Sequence, residues 1–268
     1  KLKNYSLAGI NQKIIDLKIL YVEIESSVYY NSSQSSTSDN LKSSVITALN
    51  NYASSSDLGR FGGRFKYSKL LQVIDNVDEA ITSNITKVKM RRDMKVSLNN
   101  FAQYELCFGN QFHINVDGYN IKSTGFKIEG DPDTLYFTDV PNKILTGPNA
   151  GNLDGSGKGV LSVVKKSQDS IGTRVVVKSA GVIDYLTGEI TLGTIKIRST
   201  DIADGIIQIQ AFPESNDVIG LKDLYLIFDV SSSVSSINMK KDTISSGEST
   251  SGTRFKSTSS YPNGKLTR

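Results

Sequence analysis

Between Lys18 and Asp93 the apolar residues pass from a period of two to a helical period and back, and that order constrains the chain more than any other feature. From Lys18 to Tyr30, Leu20, Val22, Ile24, Val28 and Tyr30 fall on one side and Tyr21, Glu23 and Glu25 on the other, as in a half-buried strand. A serine-rich loop follows over 31–40. From Asp39 onward Leu41, Val45, Ile46, Leu49 and Ala53 recur at helical spacing, with Ser38 or Asp39 as the expected N-cap. The connector Leu58 to Gly63 carries glycines that permit positive φ, and Ser68 is expected to cap a shorter helix with Leu70, Leu71 and Ile74 as its stripe. Asn84 to Asp93 returns to a period of two, with Lys87, Lys89 and Arg91 on one side and Val88 and Met90 on the other. Two helices with one apolar stripe each must bury it against a sheet, so strand, two helices and strand predict a small α/β layer over 18–97.

Past Ser97 the helical period disappears. Short apolar or alternating runs at 104–108, 119–128, 135–140, 160–164, 174–177, 181–185, 189–197, 206–212 and 224–230 are separated by turn signals such as Asp117-Gly118, Asp131-Pro132 and Thr187-Gly188. This spacing predicts a β-rich domain over 98–232, a sandwich or barrel-like body. Its clearest hairpin runs from Gly181 to Ile197 through Leu186-Thr187-Gly188. From 233 to 268 Ser and Thr dominate and apolar residues stand alone, which reads as an extended polar tail that a neighbouring chain would have to order. The class is therefore α+β, with residues 1–17 as a lead-in from a preceding portion.

The net charge of +4 suggests nucleic acid until it is located. Six basic and two acidic residues lie between Ser236 and Arg268, and the remaining 25 basic and 25 acidic residues cancel. A neutral body argues against a broad phosphate-binding face. Lys87, Lys89, Arg91, Arg92 and Lys95 could meet phosphates, but no aromatic residue for base stacking interleaves them. A solvated sheet face or a contact with an acidic partner is the better reading. No apolar run approaches the length of a transmembrane helix, so membrane insertion is not expected.

Motifs for chemistry are sparse. The single histidine, His113, has no Gly-x-Ser-x-Gly elbow to partner it. Cys107, the only cysteine, sits between Leu106 and Phe108 and reads as a small buried hydrophobe. The run Gly151 to Gly159 fails the phosphate-loop spacing, because Asn152 stands where the first Gly is needed and Gly159 replaces the magnesium-binding Ser or Thr. Asp131, Asp133 and Asp154 lack the spacing of a calcium loop. No catalytic, cofactor or metal residue is therefore assigned, and the chain reads as a non-enzyme.

The order strand 18–30, the helix with Ile46-Thr47-Ala48-Leu49-Asn50-Asn51-Tyr52, the connector Leu58-Gly59-Arg60-Phe61, and the helix Ser68-Lys69-Leu70-Leu71-Gln72-Val73-Ile74-Asp75 resembles the baseplate J-like family of contractile phage tails. More narrowly, the whole chain looks like the C-terminal part of T-even-type baseplate wedge proteins. Where the J-like family often has a Pro-Gly turn before its last strand, this chain has Asn76-Val77-Asp78-Glu79. The resemblance implies a structural virion subunit that is assembled in the host cytoplasm. The same resemblance implies that it forms dimers and a ring and contacts other wedge proteins, and no cofactor is expected. On that reading Lys87, Lys89 and Arg91 in the last strand, and Phe255 and Tyr261 in the tail, are candidate protein contacts. The alternative reading is a virion-associated β-domain that binds or hydrolyses carbohydrate, although no Trp is present to stack on a sugar.

Overall fold

Lys18–Tyr30 forms β1, the strand on which the first half of the structure is assembled. The computed structural model describes residues 17–32, 37–166 and 172–242. After β1 come α1 (Ser38–Ala53), β2 (Arg60–Phe61), β3 (Arg64–Phe65), α2 (Tyr67–Asp75) and β4 (Ile81–Lys95). The β-rich part follows as β5 (Phe101–Cys107), β6 (Lys122–Ser123), β7 (Phe126–Ile128), β8 (Leu135–Pro141), β9 (Lys158–Lys166), β10 (Thr173–Asp184), β11 (Glu189–Thr200), β12 (Ile206–Ala211) and β13 (Val218–Ile219). The described chain ends with β14 (Leu224–Phe228), α3 (Val230–Ser233), a 3-10 turn and β15 (Ile237–Lys241).

β4 runs antiparallel to β1 along almost its whole length, from Tyr21↔Arg91 to Tyr30↔Ile81, and β12 continues the sheet beyond β4. On the other side of β1 the partner is split. β14 pairs in parallel with Lys18–Val22 and β15 in parallel with Ser26–Tyr30. Between them the chain leaves the sheet as α3 and the 3-10 turn, which would leave the amide of Ile24 without a strand partner. The Ser233 hydroxyl fills the gap, accepting from Ile24 N at 3.0 Å and donating to the Asp229 carbonyl at 2.8 Å. A buried N–H requires such an acceptor, because leaving it unpaired costs about 1–3 kcal/mol.

The alternation of β1 sets one apolar face. Leu20, Val22, Ile24 and Val28, with Val88 and Met90 of β4 and Leu226 and Phe228 of β14, are almost fully buried. α2 packs on β4, while α1 packs on α2, α3 and β15. Leu41, Val45, Leu49 and Tyr52 of α1 are buried, as are Leu70 and Ile74 of α2. Tyr52, Phe65 and Phe228 meet with ring centroids 5.3–6.0 Å apart. Each of these apolar side chains contributes about 1.5–3 kcal/mol when removed from water.

Both helix starts differ from the expectation. Thr37, not Ser38 or Asp39, caps α1 by accepting from Asn40 N at 3.3 Å. Ser68 lies inside α2; the N-terminal amide of Tyr67 donates instead to Asp217 Oδ1 at 2.8 Å, a cap supplied from 150 residues away.

In the β-rich part the pairings β8–β9, β9–β10, β10–β11, β11–β7 and β7–β8 return to their starting strand, a barrel-like closure. The Gly181–Leu192 hairpin has the register Ile183↔Ile190, and its turn uses Gly188 at φ +70, where an added Cβ would lie 2.1 Å from the Asn110 carbonyl oxygen. Buried apolar residues from both parts form one cluster, and hydrogen bonds cross from 18–97 to 206–241. The Ser/Thr-rich stretch from 233, expected as an extended tail, remains in the sheet through Lys241 because β15 bonds to β1; residues 243–268 lie outside those described.

Replacing Ser233 by Ala is expected to lower stability by about 1–3 kcal/mol, the cost of stranding the Ile24 amide. Ser235→Ala, at an exposed position, should stay within about 0.5 kcal/mol. Urea unfolding midpoints of the two variants measure the difference.

Candidate functional site

The face of β1 and β4 opposite the helices carries the charge. Glu23 and Glu25 stand across from Lys89 and Lys87, yet the ion pairs form diagonally, Lys89 with Glu25 and Arg91 with Glu23. Diagonal neighbours on one sheet face lie within reach of long side chains. Arg91 reaches further, to Asp93 at 3.0 Å, to Asp229 at 3.1 Å and to the Ser232 hydroxyl at 3.2 Å, while its guanidinium lies 4.2 Å from the centre of the Tyr21 ring. Gln210 of β12 donates to the second oxygen of Glu23 at 2.7 Å.

This network is buried: Arg91 is 6% and Glu23 7% exposed. Burial works against the Arg91 cation, but Glu23 and Asp93 outweigh it and hold its pKa above the ordinary value. Burial likewise pushes Asp229 up, and hydrogen bonds from Ser231 and Ser232 together with Arg91 bring it below the usual carboxylate range. The result ties β1, β4, β12 and the start of α3 into one charged joint.

Of the contact residues expected from sequence, Arg91 therefore lies inside the protein, and Lys89 is half-buried between Glu25 and the Phe212 ring. Lys87 is exposed. It borders a groove of about 410 Å³ with Glu25, Ser27, Ile85, Ser236 and Asn238, in which Ile85 is 60% exposed. Phe255 and Tyr261 lie outside the described residues. The opposed acids on β1 and bases on β4 are visible in the sequence, but only the antiparallel register shows that they neutralise each other.

The other candidate motifs take up structural positions. His113 is exposed, with Nδ1 2.8 Å from Glu214 Oε2. Burial pushes the Cys107 thiol up, away from its nucleophilic thiolate form. The 151–159 run leads into β9 rather than a helix. Asp131 and Asp133 both hold Lys165, at 3.1 and 2.9 Å. The buried Asp139 accepts from Ile121 N at 2.7 Å and from Tyr185 Oη at 2.8 Å, and burial raises its pKa. Among the described residues no group of three His, Cys, Asp or Glu side chains is placed to hold a metal, and no helix is long and apolar enough to cross a membrane.

Residues 18–93, from the start of β1 into β4, match the family model described as baseplate structural protein gp6, C-terminal domain III. The match covers under a third of the chain and supports a phage baseplate structural subunit, a component of the virion tail, as the class to which it is similar. No curated protein matches the chain significantly.

Arg91→Ala is expected to cost about 3–5 kcal/mol, since it leaves Glu23 and Asp229 buried without their cation. Lys87→Ala should change stability by less than about 0.5 kcal/mol. Equal unfolding midpoints for the two variants would remove the buried network from the account.

Proposed function

We propose that the chain is a non-enzymatic structural subunit of a contractile-tail baseplate, self-associating into dimers and a ring and contacting other wedge proteins while the baseplate rearranges and the sheath contracts. The observation that carries this reading is the match over 18–93, which coincides with the strand-helix-helix-strand unit from β1 to β4. A J-like ancestry for that unit and assembly in the host cytoplasm belong to the same proposal.

Glu23, Arg91 and Asp229 neutralise one another in a buried joint that links four elements. The groove beside Lys87 and Ile85, with the Ser-rich turn before β15 along one side, is one surface open to a neighbour.

Sedimentation of the whole chain, alone and with the other wedge proteins of its phage, tests the reading. The expected result is a mass of two or more copies, or a stable complex with a wedge protein. A chain that remains monomeric in both settings contradicts it. Ending the chain after Asp242 keeps β15 in place and so separates the contribution of 243–268 to assembly from any loss of folding.

A further inference from the structure

The edge of a sheet carries backbone donors and acceptors that a further strand or water must satisfy. Among the described strands of the large sheet, β2, β5 and β15 pair with one neighbour each. β2 is two residues long, and β15 carries Lys240 and Lys241, charged residues of the kind that discourage a further strand. β5 has neither defence, being seven residues long without Lys, Arg or Pro. Phe101 at its start is 73% exposed, and Gln103 and Glu105 on the same face are exposed as well.

The register with β11 shows which backbone groups of β5 face outward. Phe108 N donates to the Gly188 carbonyl at 2.8 Å, one step beyond the pair Glu189↔Cys107. Bonded positions alternate along an antiparallel ladder, so Leu106, Tyr104 and Ala102 bond to β11, while the N–H and C=O groups of Phe101, Gln103 and Glu105 point away from it. Cys107 agrees with this alternation, since its carbonyl accepts from Arg92 Nη1 on the outer side. That bond closes the edge beyond Glu105. The open stretch is therefore Phe101 to Glu105, and its midpoint is Gln103.

We propose that this edge pairs with the same edge of a second copy of the chain, antiparallel across a two-fold axis at Gln103. Phe101 then stands opposite Glu105, Gln103 opposite Gln103, and Glu105 opposite Phe101. All three residues turn their backbone groups outward, so the hydrogen-bond pattern is complementary to itself and supplies about six bonds. The charges are compatible as well. Glu105 forms no ion pair among the described residues, whereas Lys196, which also meets Glu129, stands beside Phe101 with Nζ 5.6 Å from the ring centre. Pairing sets Glu105 of one copy next to Phe101 of the other and one strand from its Lys196, with no like charges opposed. The inference rests on the self-association proposed above and names the surface that performs it.

Residue 103 lies on the axis and faces its own copy, which sets the test. Gln103→Lys and Gln103→Glu should each weaken dimerisation of the whole chain by about tenfold or more in sedimentation equilibrium, because each puts two like charges face to face. An equimolar mixture of the two variants should restore a dimer with one copy of each, identified by native mass spectrometry. The Gln103 side chain is exposed and donates to the Thr194 hydroxyl at 3.1 Å, so both variants should keep the urea midpoint of the unaltered chain. The pairing is overturned by variants that dimerise as tightly as the unaltered chain, or by variants that lose the dimer without rescue on mixing. Dimers insensitive to residue 103 remove this surface and leave the self-association reading standing. A chain that is monomeric alone yet binds a wedge protein overturns the pairing and keeps the subunit reading. Should either variant fail to fold, amide exchange on the unaltered chain decides the matter: the Gln103 and Glu105 amides should slow as protein concentration rises, and exchange independent of concentration overturns the pairing.

Discussion

Every backbone group of an interior strand must find a partner, and in this protein that requirement falls most heavily on β1. It is bonded along one edge to β4 and along the other to two strands that arrive from the far end of the described chain. Parallel partners cannot be reached by a tight turn, so β14 and β15 require the intervening β-rich part to bring the chain back. The excursion between them is short enough that one serine hydroxyl restores the missing bond. The order of the chain, with the β-rich part inserted between the beginning and the completion of the first sheet, follows from this arrangement.

The same sheet disposes of its charge by pairing. Its helix-facing side is apolar apart from the hydrogen-bonded Ser26–Thr86 pair and Arg92 near one end, and its opposite side carries acids from β1 against bases from β4, gathered at Arg91. Burying such a group without compensation would cost several kcal/mol, so Arg91, Glu23 and Asp229 specify how β1, β4 and α3 sit together. Arg92, by contrast, is half-buried, donates to the Cys107 carbonyl, and has Asp223 and Asp93 favouring its cation.

Much of this was legible in the sequence. The period-two runs located β1 and β4, the stripe from Leu41 to Leu49 located α1, and the Val182-to-Leu192 alternation located the hairpin, because each depends on local spacing. The rest is long-range. No local signal shows that Asp217 caps α2, that Ser233 bonds to Ile24, or that Ile237–Lys241, read as polar tail, completes a sheet begun at Lys18. The basic strand is visible in the sequence, but the register that buries Arg91 against Glu23 requires knowing which strands pair.

The central claim is that the sheet around β1 is one cooperative unit assembled from both ends of the described chain, even though the family match stops at residue 93. Expressing residues 18–97 alone and following their unfolding in urea tests this directly. Without β12, β14 and β15 the fragment would expose the outer backbone edge of both β1 and β4, and the account predicts no cooperative transition. A fragment that unfolds cooperatively, with the midpoint of the whole chain, would contradict it.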